Sequence, residues 1–290
     1  MKDIEYAAPR SLDEAAAILN ERGSRARPLA GGTDIIVQVR EGCRDIDILV
    51  DVKKIPELSA VQFNRDEGLT LGAAVPCYQI YNNAEVAQAY PGLIDAAILI
   101  GAAQIQGRAS FGGNLCNASP AADTICPLIV HSAVCSIYGP DGSRAVPVEE
   151  FCSAPGQTVL KQGEFLVSIA LPPPKPSAAG RYLRFIPRNE MDIAVAGAAA
   201  YVELENGMIG SARVALAAVA PTPLFVAEIG ERLAGQDITD ETLREAGEIA
   251  RAAARPIDDM RGTVEHRKEL CAVLTRRALK GAIERAQENA

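Results

Sequence analysis

Gln106-Gly-Arg-Ala-Ser-Phe-Gly-Gly-Asn-Leu-Cys-Asn-Ala-Ser-Pro-Ala-Ala-Asp123 lies between two apolar runs and carries neither helical nor strand periodicity. It combines three glycines with Ser110, Asn114, Asn117, Ser119 and a single acid. Glycine lets backbone N–H groups come close to a bound molecule, so a polar stretch poor in side chains predicts a loop that lies against a ligand. Leu29-Ala-Gly-Gly-Thr-Asp-Ile-Ile36 is a shorter version upstream. One Gly-Gly pair alone reads as a tight turn. Two such pairs, far apart in sequence, predict two loops that hold one extended, phosphate-bearing ligand from two sides. Neither matches the Gly-x-Gly-x-x-Gly fingerprint or the P-loop. Ser110 and Asn114 would add side-chain donors. Asp123 precedes Thr124-Ile-Cys-Pro-Leu128 and by itself reads as a helix N-cap. It has no obvious salt partner nearby and is also a candidate acceptor for sugar hydroxyls.

Working outward, Ser11-Leu-Asp-Glu14 is a capping-box pattern that opens a helix closed by Gly23. Residues Arg27 to Ala30 read as a strand entering the first glycine pair, and Thr33 as the cap of a helix through Arg40, closed by Gly42. Asp47 to Val52 reads as a strand, and Val61 to Asn64 with Leu69 to Ala73 as a hairpin. Tyr78 to Ile100 is mostly helical, broken at Pro91-Gly92. Beyond the long polar loop come a helix from Ala122 to Ser132, a hairpin of Val134 to Tyr138 with Arg144 to Val148, and a strand from Glu164 to Leu171. Four prolines within Pro172 to Pro176 mark a linker that continues through Ser177 to Gly180. After it, Arg181 to Arg188, Ile193 to Leu204 and Met208 to Val219 read as strands. Helices near Pro223 to Ala234, Thr239 to Ala254 and Thr263 to Gln287 close the chain. The expected domains are 1–175, with subdomains of about 1–57 and 58–175, and 180–290.

The 290-residue chain is 48% hydrophobic and carries a net charge of −8 with no basic block, which speaks against nucleic-acid binding. No apolar run approaches the roughly 20 residues of a membrane span. Met1-Lys-Asp-Ile-Glu-Tyr6 lacks the layout of a signal peptide. Seven scattered cysteines without a Cys-x-x-Cys point to reduced thiols and a cytoplasmic protein. His131 sits in an apolar run and His266 in a charged one, and neither has metal-ligand spacing. Cys116, Cys126, Cys135 and Cys152 lack cluster-like spacing and read as buried thiols. No catalytic residue and no metal ligand stands out.

Ala30-Gly-Gly-Thr-Asp34, then Ala109-Ser-Phe-Gly-Gly-Asn-Leu115 with Asn117-Ala-Ser-Pro-Ala-Ala-Asp123, resemble the flavin-binding medium subunit of the molybdenum hydroxylases. Carbon monoxide, nicotinate and xanthine dehydrogenases belong to that group. Tyr182 to Ala194 resembles the family's entry into its C-terminal domain, and the resemblance covers essentially the whole chain. It implies an α+β fold, in which a two-part FAD-binding domain of the vanillyl-alcohol oxidase type is followed by an antiparallel sheet with a helical bundle. It also implies which residues hold FAD. Leu29 and Ala30, Gly31, Gly32, Thr33, Asp34, Ile35 and Ile36 carry the pyrophosphate. Ala109, Ser110, Gly112, Gly113, Asn114 and Asn117 carry pyrophosphate and ribityl contacts. Asp123 touches the adenosine or ribityl part, Leu166 lies near the ring system, and Ile100 falls at another contact. Several relatives place a lysine near the flavin shortly after the linker. The aligned position here is Ile186, with Arg184 and Arg188 as nearby cations.

On this resemblance the chain is an electron-transfer subunit. Molybdopterin in a large subunit and 2Fe-2S clusters in a small subunit supply electrons, the FAD of this chain passes them to an external acceptor, and the assembly is a dimer of heterotrimers. NAD, oxygen and a quinone stay open as acceptors. Two rival readings stand beside it, a stand-alone FAD-dependent oxidoreductase and a non-catalytic nucleotide-binding module.

Overall fold

The first strands form a small parallel sheet, because short helical crossovers separate them. A computed structural model describes residues 3–289; Met1 and Lys2, part of the N-terminal stretch considered above, lie outside the described residues, as does Ala290. Strands β1 (Glu5–Ala7), β2 (Ala26–Leu29) and β3 (Ile48–Asp51) pair in the order β1-β3-β2. Between β1 and β2 runs the helix Leu12–Arg22, where Ser11 Oγ accepts from the Glu14 N–H as the capping box predicts. Between β2 and β3 runs the helix Ile35–Arg40. Thr33 does not cap it. Asp34 occupies the N-cap position in helical conformation, with no side-chain cap bond.

A five-stranded antiparallel sheet follows. Strands β4 (Val61–Asn64), β5 (Gly68–Gly72), β6 (Val134–Gly139) and β7 (Gly142–Pro147) join a later strand, β10, in the order β4-β5-β10-β6-β7. The short pair β8 (Cys152–Ala154) and β9 (Gln157–Thr158) precedes β10 (Phe165–Leu171). The helices inserted between β5 and β6 include Ala103–Gln106 and Phe111–Asn117. The stretch read as a loop is therefore partly helical. Ser110 accepts from the Gly113 N–H as an N-cap, and this local bond offsets part of the poor helix propensity of Gly112 and Gly113.

The last sheet, β11 (Ala178–Phe185), β12 (Ala196–Glu205), β13 (Met208–Ala217) and β14 (Leu224–Phe225), is antiparallel in sequential order. Strand β11 begins inside the stretch expected to be linker: Ala178 to Gly180 pair with Glu203 to Tyr201. Ladder bonds to β12 extend the strand back to the residue after Ser177. The helices Asp240–Ala253 and Val264–Glu288 are capped by Thr239 and Thr263; the second packs against β11 and β12, and the first packs on the second.

Strand β12 is buried on both faces. Ala196, Ala198, Ala200 and Val202 join the core under these helices, whereas Ala199 joins the core of the N-terminal part. The alanine run is therefore a packing solution rather than a propensity effect, since small side chains let helices and the N-terminal part approach one strand from opposite sides. The contact with the N-terminal part is also pinned by charge. Asp95 accepts from Arg285 at 2.7 and 2.9 Å, from Arg181 at 3.1 Å and from the Tyr182 N–H at 3.0 Å.

His131 sits in this contact, tilted on Tyr201 and edge-on to Tyr90, with Nε2 buried and unbonded. Burial, with the charge of Arg213, pulls its pKa down to about 4. The unfolded imidazole takes up its proton near pH 6.5. Between those values the unfolded chain binds more protons, so stability falls as pH drops through the window. We expect His131→Leu to flatten this loss by roughly 2 kcal/mol between about pH 7 and pH 4.5, read by urea unfolding at both pH values. Parallel losses in wild type and variant would contradict it.

Candidate functional site

Two backbone segments that lie 77 residues apart in sequence touch at Gly31. A Cβ there would stand 2.1 Å from the carbonyl oxygen of Arg108, and Arg108 Nε donates to the Gly31 carbonyl at 3.3 Å. At Gly112 a Cβ would stand 2.4 Å from the Ala73 carbonyl oxygen. These two glycines are required for chain to meet chain, which differs from the sequence expectation of close approach to a ligand. Gly32 adopts φ +81°, the left-handed region. Gly113 is different, because only Ser110 Oγ, at 3.0 Å, lies near its Cβ direction.

Each loop is anchored from behind. Lys53 Nζ donates to the Ala30 carbonyl at 2.9 Å and pairs with Asp51 at 2.7 Å. The Cys77 N–H donates to the Ala109 carbonyl at 2.8 Å. Side chains then tie the loops to each other. Asn117 Nδ2 donates to Asp34 Oδ1 at 3.2 Å, Gln38 Nε2 to Asn117 Oδ1 at 3.0 Å, and Arg44 Nε to Gln38 Oε1 at 2.7 Å.

A cavity of about 880 Å³ opens along this junction. Ala30 to Ile35, Ile100, Ala109, Ser110, Gly112 to Asn114, Asn117, Asp123 and Leu166 all line it. Leu29 and Ile36 stand outside the lining; Leu29 is buried and Ile36 is 44% exposed. Leu166 is placed by an irregularity in β10 between Leu166 and Ser168, where the Val167 carbonyl accepts from the Ala73 N–H at 2.8 Å. The backbone N–H groups of Gly31 to Asp34 have no protein acceptor among the described residues. Asn114 Oδ1 accepts from Thr124 Oγ1 at 2.6 Å, and Asn114 Nδ2 has no acceptor among the described residues. The wall therefore offers unused donors and can take an anion or a row of oxygen acceptors.

Asp123 is neither an N-cap nor a free acceptor. The helix that follows begins at Ile125 without a side-chain cap. The Asp123 carboxylate instead accepts from the Tyr182 hydroxyl at 2.7 Å and from Arg184 Nη1 at 2.5 Å. Burial pushes its pKa up, while Arg184 and Tyr182 pull the other way. The Arg184 side chain is 6% exposed, lines the cavity and keeps a buried Nε without a partner. Arg188 is 67% exposed, pairs with Asp192 and lies outside the lining. The acids that line the cavity are all engaged: Asp34 by Asn117, Asp123 by Arg184, Glu164 by Arg144 and Asp192 by Arg188.

Sequence reading missed Gln38, Arg27, Arg44, residues 156–158 and 160–164, and the lining role of Ile193. For Gln38 a signal existed, since it lies one helical turn beyond Asp34 on the same face. Among the described residues no group of His, Cys, Asp and Glu could hold a metal ion. Burial raises the Cys116 thiol to about 12 and that of Cys152 to about 11, so both stay protonated at neutral pH.

Residues 2–174 match the family model of the FAD binding domain in molybdopterin dehydrogenase, and residues 181–282 that of the CO dehydrogenase flavoprotein C-terminal domain. The chain is 29% identical over 279 residues to a putative xanthine dehydrogenase FAD-binding subunit of Escherichia coli (strain K12), covering 96% of this chain and 95% of that one. It is 31% identical over 281 residues to the carbon monoxide dehydrogenase medium chain of Hydrogenophaga pseudoflava, covering 96% of each. Among solved structures, it matches a chain of the cyanide-inactivated Cu,Mo-CO dehydrogenase with a TM-score of 0.94 at 29% identity, covering 98% of this chain and 99% of that one.

If the Gly31 contact fixes the junction, Gly31→Ala destabilises the chain by about 2 kcal/mol or more through overpacking, while Gly113→Ala costs less than about 1 kcal/mol. Denaturant unfolding of both variants checks this, and equal stabilities would contradict it.

Proposed function

The chain belongs to the family of FAD-binding domains of molybdopterin dehydrogenases, continued by the C-terminal domain of the carbon monoxide dehydrogenase flavoproteins, and from that premise we propose that the cavity between its glycine loops holds one FAD. The chain is the flavoprotein subunit of an oxidoreductase complex. We assign residues 1–175 to the FAD-binding part and 180–290 to the C-terminal part.

The observation that carries the reading is the contact of the two loops at Gly31 and Arg108, with unused N–H donors on residues that line one cavity. Those donors suit a diphosphate. The N–H groups of Gly31 to Asp34 and the Asn114 amide meet its oxygens, and Gly113 keeps the facing wall free of side-chain bulk. Leu166 and Ile100 supply apolar surface for the ring system. Arg184, held by Asp123, supplies a fixed positive charge with a spare N–H, and takes the place considered for the family's lysine. When bound, FAD supplies the redox chemistry, accepting and giving up electrons. The protein's own part is to bind, to orient and to stabilise negative charge with preformed donors.

Electrons arrive from iron–sulfur clusters in a small partner subunit, fed by molybdopterin in a large one, and leave to an external acceptor. The assembly is a cytoplasmic dimer of heterotrimers. Ile193 lines the cavity and is 53% exposed, and Met260, 95% exposed, tips a turn packed near Val195. These exposed apolar side chains suit a surface covered by another chain. A stand-alone oxidoreductase would need an acid or base of its own, and the engagement of Asp34, Asp123, Glu164 and Asp192 by protein donors speaks against that reading.

Reconstitution with excess FAD should give about one flavin per chain, with visible absorbance retained through gel filtration. Gly113→Val should lower flavin affinity at least tenfold in a folded protein. FAD should raise the unfolding temperature more than ADP at matched concentration. Absence of bound flavin would overturn the reading, and equal shifts with FAD and ADP would favour a nucleotide-binding module.

A further inference from the structure

Two cations on the cavity wall lack a counter-charge among the described residues. Arg27 stands on β2, and Arg44 in the turn between the helix Ile35–Arg40 and β3. Both line the cavity. Arg27 Nη1 donates only to backbone carbonyls, those of Ser24 at 3.2 Å and Ala26 at 2.8 Å. Arg44 Nε donates to the neutral Gln38 amide at 2.7 Å. Among the described residues no carboxylate pairs with either, whereas Arg184 on the same cavity has Asp123. Burial of Arg27 and the nearby charge of Arg44 both disfavour the protonated Arg27. Holding two like charges near each other in a part-buried wall is costly unless an anion arrives between or beside them. Arg44 is also wired to the glycine loops through Gln38, Asn117 and Asp34.

We infer that Arg27 and Arg44 form a cation subsite that recognises the diphosphate of the ADP half of the dinucleotide, adding charge where the glycine loops supply only neutral N–H donors. The inference rests on the proposed FAD site and extends it to two residues outside both glycine segments. The guanidinium groups carry the preference for a phosphate-bearing nucleotide over a neutral nucleoside, because a charge-assisted hydrogen bond to phosphate outweighs one from a neutral donor. They are positioning and affinity residues with no part in the electron transfer itself.

The test uses the full chain, its Arg44→Gln, Arg27→Gln and Arg27→Lys variants, and three probes: FAD, ADP and adenosine. Isothermal titration reads affinity, and thermal unfolding reads the ligand-free protein. Arg44→Gln should weaken FAD and ADP by roughly tenfold each and leave adenosine unchanged. Its ligand-free unfolding temperature should equal or exceed that of wild type, because a like-charge repulsion is removed. Arg27→Lys should retain more than half of the binding free energy lost by Arg27→Gln. Unchanged FAD affinity in Arg44→Gln would overturn the subsite while leaving the FAD reading intact. A lower ligand-free unfolding temperature with equal losses for ADP and adenosine would also overturn it, as a structural role. Arginine-dependent ADP binding by a wild-type chain that takes no FAD would overturn the FAD reading and leave the subsite standing.

Discussion

The site depends on one steric fact, that the backbone at Gly31 leaves no room for a Cβ beside the Arg108 carbonyl. There the loop after β2 and the segment before the helix Phe111–Asn117 come into backbone contact across a long stretch of chain. The hydrogen bonds from Asn117 to Asp34 and from Gln38 to Asn117 depend on the same approach, since amide side chains of that length cannot span a wider gap. The segment Gly31 to Asp34 lines the cavity, and it is held by Lys53 at the Ala30 carbonyl and by Arg108 at the Gly31 carbonyl. Preorganised donors of this kind cost no rearrangement when an anion binds.

The C-terminal part is more than a lid on this arrangement. Tyr182 and Arg184, on one strand, reach across to Asp123, and the same strand is fixed by Asp95. The acid that ends the second glycine segment is thus held by the last sheet, so the cavity wall is completed by residues from both halves of the chain. The double-sided burial of β12 makes that docking rigid, because its alanines pack against helices on one side and the N-terminal core on the other.

Much of this was legible in the sequence. The glycine pairs stood out as side-chain-poor segments between apolar runs, and the capping box at Ser11 announced its helix. Other features were hidden for physical reasons. The helix Phe111–Asn117 has two glycines in its first turns and no apolar period, so tertiary contact with Ala73 decides its conformation rather than propensity. Asp123 looked free because its partner lies 61 residues downstream. Arg27 and Arg44 belong to no motif, and only the fold brings them to one wall. Strand pairing with β12 recovered Ala178 to Gly180 from the linker expected after the proline run.

The most direct measurement of the central claim is a crystal structure of the chain reconstituted with FAD. The account predicts the diphosphate within hydrogen-bonding distance of the N–H groups of Gly31 to Asp34 and of Asn114, with Gly31 still in contact with Arg108. A flavin bound elsewhere, or a diphosphate touching only one of the two glycine segments, would contradict it.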